Sequence, residues 1–235
     1  MDFVKRNYMY REDDDLQFLS LCTHKQLTPL VKYLTKEKTG KLRTTETLTT
    51  NPRFKKNKHD LALVWQEICA ELQTFGNSTV MNLITGKGGT YLNLLQYTAR
   101  SIGCSVSAKD KDSALAIEKA IVAKVMKLQL DKMTQADRSA FVERMSKDYQ
   151  CKIDNALDWS SKDFAIVTRV LASAFGGAAV GAALVPRVLM IPSPLGVLGG
   201  IFGVFADAPN VNVTLPCVIH IAMLRELRRN DNPFK

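Results

Sequence analysis

Residues 78–99 read STVMNLITGKGGTYLNLLQYTA. An apolar run, a glycine-rich loop and a helix-like pattern follow one another. That is the order of strand, loop and helix in a phosphate-binding α/β protein, and equally the order of two helices joined by a glycine turn. A phosphate loop of the form G-x-x-x-x-G-K-[ST] cradles phosphate with its amides and binds magnesium through the final hydroxyl. Here Gly86-Lys87 is followed by Gly88, Met81 stands where the first glycine belongs, and no acidic residue closes a later strand. The helical reading meets none of these obstacles. Ser78 caps a short helix from Thr79 to about Thr85, Gly86 takes the left-handed position, and Gly88-Gly89 turns the chain into the next helix. The loop is read as a hinge between helices, with no nucleotide and no cofactor expected.

The flanking sequence supports that choice. Leu61, Val64, Trp65, Ile68, Leu72 and Phe75 recur at helical spacing and are stopped by Gly76. Beyond the loop, Tyr91, Leu95, Thr98 and Ile102 mark a face closed by Gly103, and Ile117, Ile121, Val125 and Leu128 mark another. The sequence TQAD before Phe141, Met145 and Tyr149 is a capping pattern with Asp in the Glu position. Nearer the start, Leu16, Leu19 and Cys22 form a stripe behind Asp13 to Asp15, read as a solvated helix start, and Thr28-Pro29 is the expected beginning of a second helix. Strand-type alternation is confined to VNVTL near the end, and a last helix is expected from about Pro216. The reading is all-α: a helical bundle with a small N-terminal helical hairpin and a Gly/Ala-rich apolar C-terminal helical hairpin. Its parts are an N-terminal module (1–42), a basic connector (43–60), a central bundle (61–160), and the apolar hairpin with the terminal helix (161–235).

The bulk properties narrow the function classes. The chain has 235 residues, 46% hydrophobic, with a formal charge of +9, which fits a folded protein with a preference for anionic partners. Five widely spaced cysteines form no CxxC or zinc pattern, and the first residues carry no apolar leader. A cytoplasmic location is expected, with association at the inner membrane as its extension.

Three stretches resemble a known family. YREDDDLQFLSLCTHKQLTPLVKYLTKEKTGKLR is similar to the short N-terminal module of the YaaW-type family of uncharacterised bacterial proteins. WQEICAELQTFGNSTVMNLITGKGGTYLNLLQYTARSI resembles that family's centre, where a Trp-containing helix ends in Leu-Gln-x-Phe-Gly before a glycine-rich turn. VNVTLPCVIHIAMLREL matches its closing helix, while Thr85 stands where members often carry Arg. The family has been grouped distantly with the ubiquinol–cytochrome c chaperone domain. The resemblance therefore implies a helical, chaperone-like protein that handles another protein.

No catalytic pattern stands out. HExxH and GxSxG are absent, and the histidines are isolated, with His220 in an apolar helix. For anion contact the candidates are Arg53, Lys55, Lys56 and Lys58, near Phe54, together with Lys87. No motif points to specific nucleic-acid binding. Residues 164–206 are the most distinctive segment, with Arg169 and Arg187 as their only formal charges. Residues 170–185 would reach roughly 24 Å as a helix and residues 195–206 roughly 18 Å. A bilayer core needs about 30 Å, and Pro186, Pro192 and Pro194 prevent one long helix. The segment is read as a buried core hairpin, a membrane-associating hairpin or a partner-docking surface. Phe175, Gly176, Gly177, Gly181, Arg187, Leu195, Phe202 and Phe205 are its expected contact residues. The expected function is a non-catalytic interaction protein, membrane-associated or assembly-factor-like, whose partner is an unknown protein or an anionic membrane surface. The rivals are a soluble enzyme with an unrecognised site and a helical pore-forming or defence effector.

Overall fold

A computed structural model of the protein describes residues 8–36, 42–76, 82, 84–153, 159–172 and 210–230. The expected cap at Ser78 and the eight expected contact residues of the apolar hairpin lie outside these residues. The described part is all-α. Its helices are α1 (His24–Thr35), α2 (Pro52–Asn57), α3 (Trp65–Gln73), α4 (Tyr91–Ser101), α5 (Ala114–Lys132), α6 (Gln135–Tyr149), α7 (Ser161–Ala172) and α8 (Val211–Asn230). No strand occurs among the described residues, only isolated bridges between Met9 and Lys87 and between Lys36 and Leu42. The chain divides into two compact units, Met1–Tyr97 and Thr98–Lys235.

In the first unit, α1 packs on α3 and on the 3-10 turn Leu61–Val64 that leads into it. Leu16, Leu19, Leu27, Leu30, Leu34, Ile68 and Leu72 form the core. Helix α1 begins at His24, earlier than Thr28-Pro29 suggested. Thr23 caps it reciprocally with Gln26, which outweighs the proline start, and Pro29 sits inside. Pro29 is the sixth residue of the helix, past the first turn where a proline costs nothing, and removes one intrahelical bond. The apolar face from Leu61 to Phe75 runs through three pieces, the 3-10 turn, α3 and a further turn at Thr74–Gly76. Residues 43–60, which read as a connector, carry the 3-10 turn Leu48–Thr50 and helix α2. Asn51 caps α2 and Pro52 opens it.

In the second unit, α8 packs mainly on α7 and also on α5. Every residue from Val213 to Leu224 is buried, which is the pattern of a helix enclosed on all sides. The VNVTL alternation is therefore helical, and α8 starts at Val211 with Pro216 in its interior. The burial available to α8 overrides the local strand preference of Val and Thr. Residues 164–172 of the apolar segment belong to α7, with Phe164, Val167 and Leu171 in the core. On α5, Ile117, Ile121 and Val125 are buried as expected, but Gln129 rather than Leu128 continues the buried face. Thr134 caps α6 by accepting from the Asp137 amide, and Phe141 and Met145 are its buried residues. Helix α4 ends as expected at Gly103, with φ +63°. The Gly103 amide donates to Arg100 and the Cys104 amide to Ala99, a Schellman ending.

Candidate functional site

The richest polar arrangement in the first unit surrounds the glycine loop. Gln73 ends α3 fully buried. Its Oε1 accepts from the Arg11 amide at 2.9 Å and its Nε2 donates to the Arg11 carbonyl at 2.8 Å. One side-chain amide thus pairs with the backbone of a residue 62 positions away, as a neighbouring strand would. Gly88 lies against the same glutamine. A Cβ built there would stand 2.2 Å from the Gln73 carbonyl carbon, so only glycine fits. The Gly89 amide donates to the Gln73 carbonyl at 2.9 Å, and Gly86 adopts φ +66°.

The N-terminal segment crosses this loop. The Met9 amide donates to the Gly86 carbonyl at 3.0 Å, and Arg11 Nη1 donates to the Gly88 carbonyl at 3.4 Å. Asp13 completes the joint. Its Oδ2 accepts from the amide of Tyr91, the first residue of α4, at 2.6 Å. A carboxylate at that position satisfies an orphan donor and faces the positive end of the helix dipole. Asp13 is buried, so the expectation of a solvated aspartate run fails for this residue. Its Oδ1 accepts from the Asp15 amide of its own turn at 3.1 Å, while Oδ2 reaches a helix 78 residues downstream. Thr90 and Asn93 cap the same helix by exchanging amide bonds.

Three of the loop amides that a phosphate would need are also engaged. The Gly86 amide donates to Asn82, the Lys87 amide to the Thr85 hydroxyl, and the Gly89 amide to Gln73. The loop is a joint between the chain start, α3 and α4.

A buried carboxylate and a half-buried phenol accompany it. Glu71 accepts from the Thr47 amide and, at 2.6 Å, from the Thr47 hydroxyl. Burial raises its carboxyl above the usual carboxylate range, and the Thr47 bonds offset this only in part. Burial, followed by the field of Cys69, pushes the Tyr10 hydroxyl up to about 12. The Tyr10 ring meets Trp65 edge-on, with centroids 5.1 Å apart. On the outside of the joint lies a cleft of about 600 Å³, bordered by Tyr10, Glu12, Gln17, Trp65, Gln66 and Lys87.

The basic residues singled out in the sequence fall in two places. Arg53 forms an ion pair with Glu67 at 3.0 Å and donates to the Leu63 carbonyl at 3.2 Å. Lys55, Lys56 and Lys58 are exposed on and just after α2, whereas neighbouring Phe54 is buried and removed from any surface role. Lys87 is exposed and borders the cleft.

In the second unit, Glu118 of α5 is fully buried and pairs with Arg225 of α8 at 3.1 Å. Glu226, also buried, pairs with Arg229 at 3.0 Å. Asp163 holds the start of α7 through Ser160 and the Lys152 amide. Burial raises the neighbouring Cys151 thiol to about 12, with the Asp163 charge adding to it. Among the described residues no group of three or more His, Cys, Asp or Glu is placed to hold a metal.

The sequence offered a partial signal for the joint. The Leu-Gln-x-Phe-Gly and glycine-rich stretches stood out, but nothing local paired Gln73 with Arg11 or Asp13 with Tyr91. Buried glutamate pairs such as Glu71–Thr47 and Glu118–Arg225 left no local signal either.

A family model described as "Domain of unknown function (DUF3944)" matches residues 10–44, which include Arg11, Asp13 and α1. The whole chain is similar to the UPF0174 protein YaaW of Escherichia coli K12, 26% identical over 94% of this chain and 97% of that protein. The YaaW protein of Escherichia coli O157:H7 is equally similar, at 26% over the same shares. The family resemblance seen in the three stretches thus extends along nearly the entire chain. No solved structure matches. Among the described residues, no helix is long and apolar enough to cross a membrane.

Proposed function

From this likeness to YaaW over nearly the whole chain, we propose a non-catalytic binding role at an anionic membrane surface, with the apolar stretch as the contact element. The observation that carries the reading is the charge pattern. In a chain of net charge +9, residues 164–206 hold only Arg169 and Arg187. Residues 164–172 are core, which leaves the segment from Ser173 onward, with Phe175, Phe202, Phe205 and the glycines, as the contact element. Exposed Lys55, Lys56 and Lys58 add attraction for anionic headgroups. A cytoplasmic protein recruited to the inner membrane fits this division of roles. The polar groups around the glycine joint support a structural rather than a catalytic use, because their bonds run to the protein's own backbone.

Flotation of the purified chain with anionic and with neutral phospholipid vesicles tests the proposal. The full chain is expected to float with anionic vesicles, to release at high salt, and to lose binding when residues 176–205 are deleted. A chain that stays at the bottom with anionic lipid overturns the reading. Should the deletion unfold the protein, the triple change Lys55→Gln, Lys56→Gln and Lys58→Gln serves instead, and unchanged flotation in that variant removes the electrostatic part.

A further inference from the structure

The cleft outside the glycine joint has a lining unlike its surroundings. Arg11, Asp13 and Gln73 are all engaged in the joint. The side chains of Glu12, Gln17, Gln66 and Lys87, which border the cleft of about 600 Å³, form no hydrogen bond or ion pair with any described residue. One carboxylate and one ammonium therefore share a cleft without pairing with each other. A neutral molecule placed between them strips water from both charges and returns nothing, and a singly charged one leaves one charge unpaired. A zwitterion satisfies both. Its ammonium meets Glu12 and its carboxylate meets Lys87 through charge-assisted bonds. Gln17 and Gln66 each offer a donor and an acceptor to the rest of such a molecule. Tyr10 and Trp65, packed edge to face, supply an apolar wall. The volume lies within the roughly 300–1,000 Å³ range of small-molecule sites.

We infer that this cleft binds an α-amino acid or short peptide by its two charged ends. The inference does not depend on the membrane reading, because it uses none of the residues of the apolar segment.

The test uses the full chain. Each free L-amino acid and glycylglycine is titrated by calorimetry and by tryptophan fluorescence, Trp65 being the reporter that borders the cleft. The expected result is saturable binding of at least one probe. Its N-acetyl form and its carboxyl-amide form should each bind about tenfold or more weakly, the loss of one charge-assisted bond. Glu12→Gln should abolish the discrimination against the N-acetyl form, and Lys87→Met that against the amide. Both positions are exposed, and the bonds of Lys87 in the joint are made by its backbone. Absence of saturable binding in the millimolar range overturns the inference. So do blocked derivatives that bind as well as the free probe, or variants that discriminate as the parent does.

Discussion

Gln73 in the glycine joint and Glu118 of α5 are both fully buried polar side chains, held in opposite ways. Gln73 is neutral and pairs with backbone, in a space where the nearest loop residue cannot carry even a methyl group. Glu118 is charged and meets the Arg225 guanidinium of α8 at 3.1 Å. The first arrangement depends on shape and on many modest hydrogen bonds. The second sets a buried carboxylate against an opposite charge. Removing a partner should therefore hurt more in the second unit, while adding an atom should hurt more in the first.

Arg225→Met gives the largest expected effect. It removes the guanidinium that faces the buried Glu118 carboxylate, a loss of about 3–5 kcal/mol. The double change with Glu118→Gln should recover much of that loss, since a buried pair replaced as a whole is often nearly neutral. Urea unfolding of the two single variants and the double variant measures the coupling. If the double variant is as unstable as Arg225→Met alone, the pair is not what holds this part of α8.

Gly88→Ala comes next. Its Cβ would overlap the Gln73 carbonyl at 2.3 Å, so backbone must move. A loss of about 2–3 kcal/mol is expected, at the upper end of ordinary overpacking. The chain has two tryptophans, Trp65 in the first unit and Trp159 in the second. With Trp159→Phe in the background, the shift in unfolding midpoint should appear in Trp65 emission. An unchanged midpoint would mean that the close approach of Gly88 is not essential.

Glu71→Gln gives the smallest and most pH-dependent effect. Burial raises the folded-state pKa of Glu71, so the folded protein favours its protonated form. Such a group contributes stability below its unfolded pKa of about 4.3, and that contribution fades as pH rises through the raised folded value. The variant should therefore gain on the parent as pH increases from about 4 toward neutrality. Urea midpoints of the two proteins across that range check the sign. A gap that widens toward acid instead would show that the Thr47 bonds outweigh burial.

The features that could be read directly are those written within one or two helical turns. Gly103 closing α4, Thr134 capping α6 and the isoleucine stripe of α5 are of this kind. The left-handed Gly86 follows from the helical reading of the loop, which rests on Met81 and Gly88 standing where a phosphate loop needs a glycine and a hydroxyl. Misreadings arose where distant packing overrode a local cue. Pro29 and Pro216 each looked like a helix start and each lies inside a helix. Phe54, between Arg53 and Lys55, reads as a surface aromatic and is buried. Of the candidate anion contacts, Arg53 proved to be tied to Glu67, a partner that spacing alone does not reveal.

Helical class, the positions of the glycines and the charge-poor stretch from 164 to 206 are properties of the amino-acid order, because periodicity and capping act over a few residues. Which buried polar groups meet is a different matter. Asp13 finds the amide of Tyr91 across 78 residues, and Gln73 finds Arg11 across 62. Those pairs exist only once the apolar cores have brought separate segments together, since a carboxylate or side-chain amide accepts any donor delivered in the right geometry. Tertiary packing alone made the TGKGGT loop a joint, engaging its amides with the protein's own atoms and leaving Glu12 and Lys87 facing the same cleft.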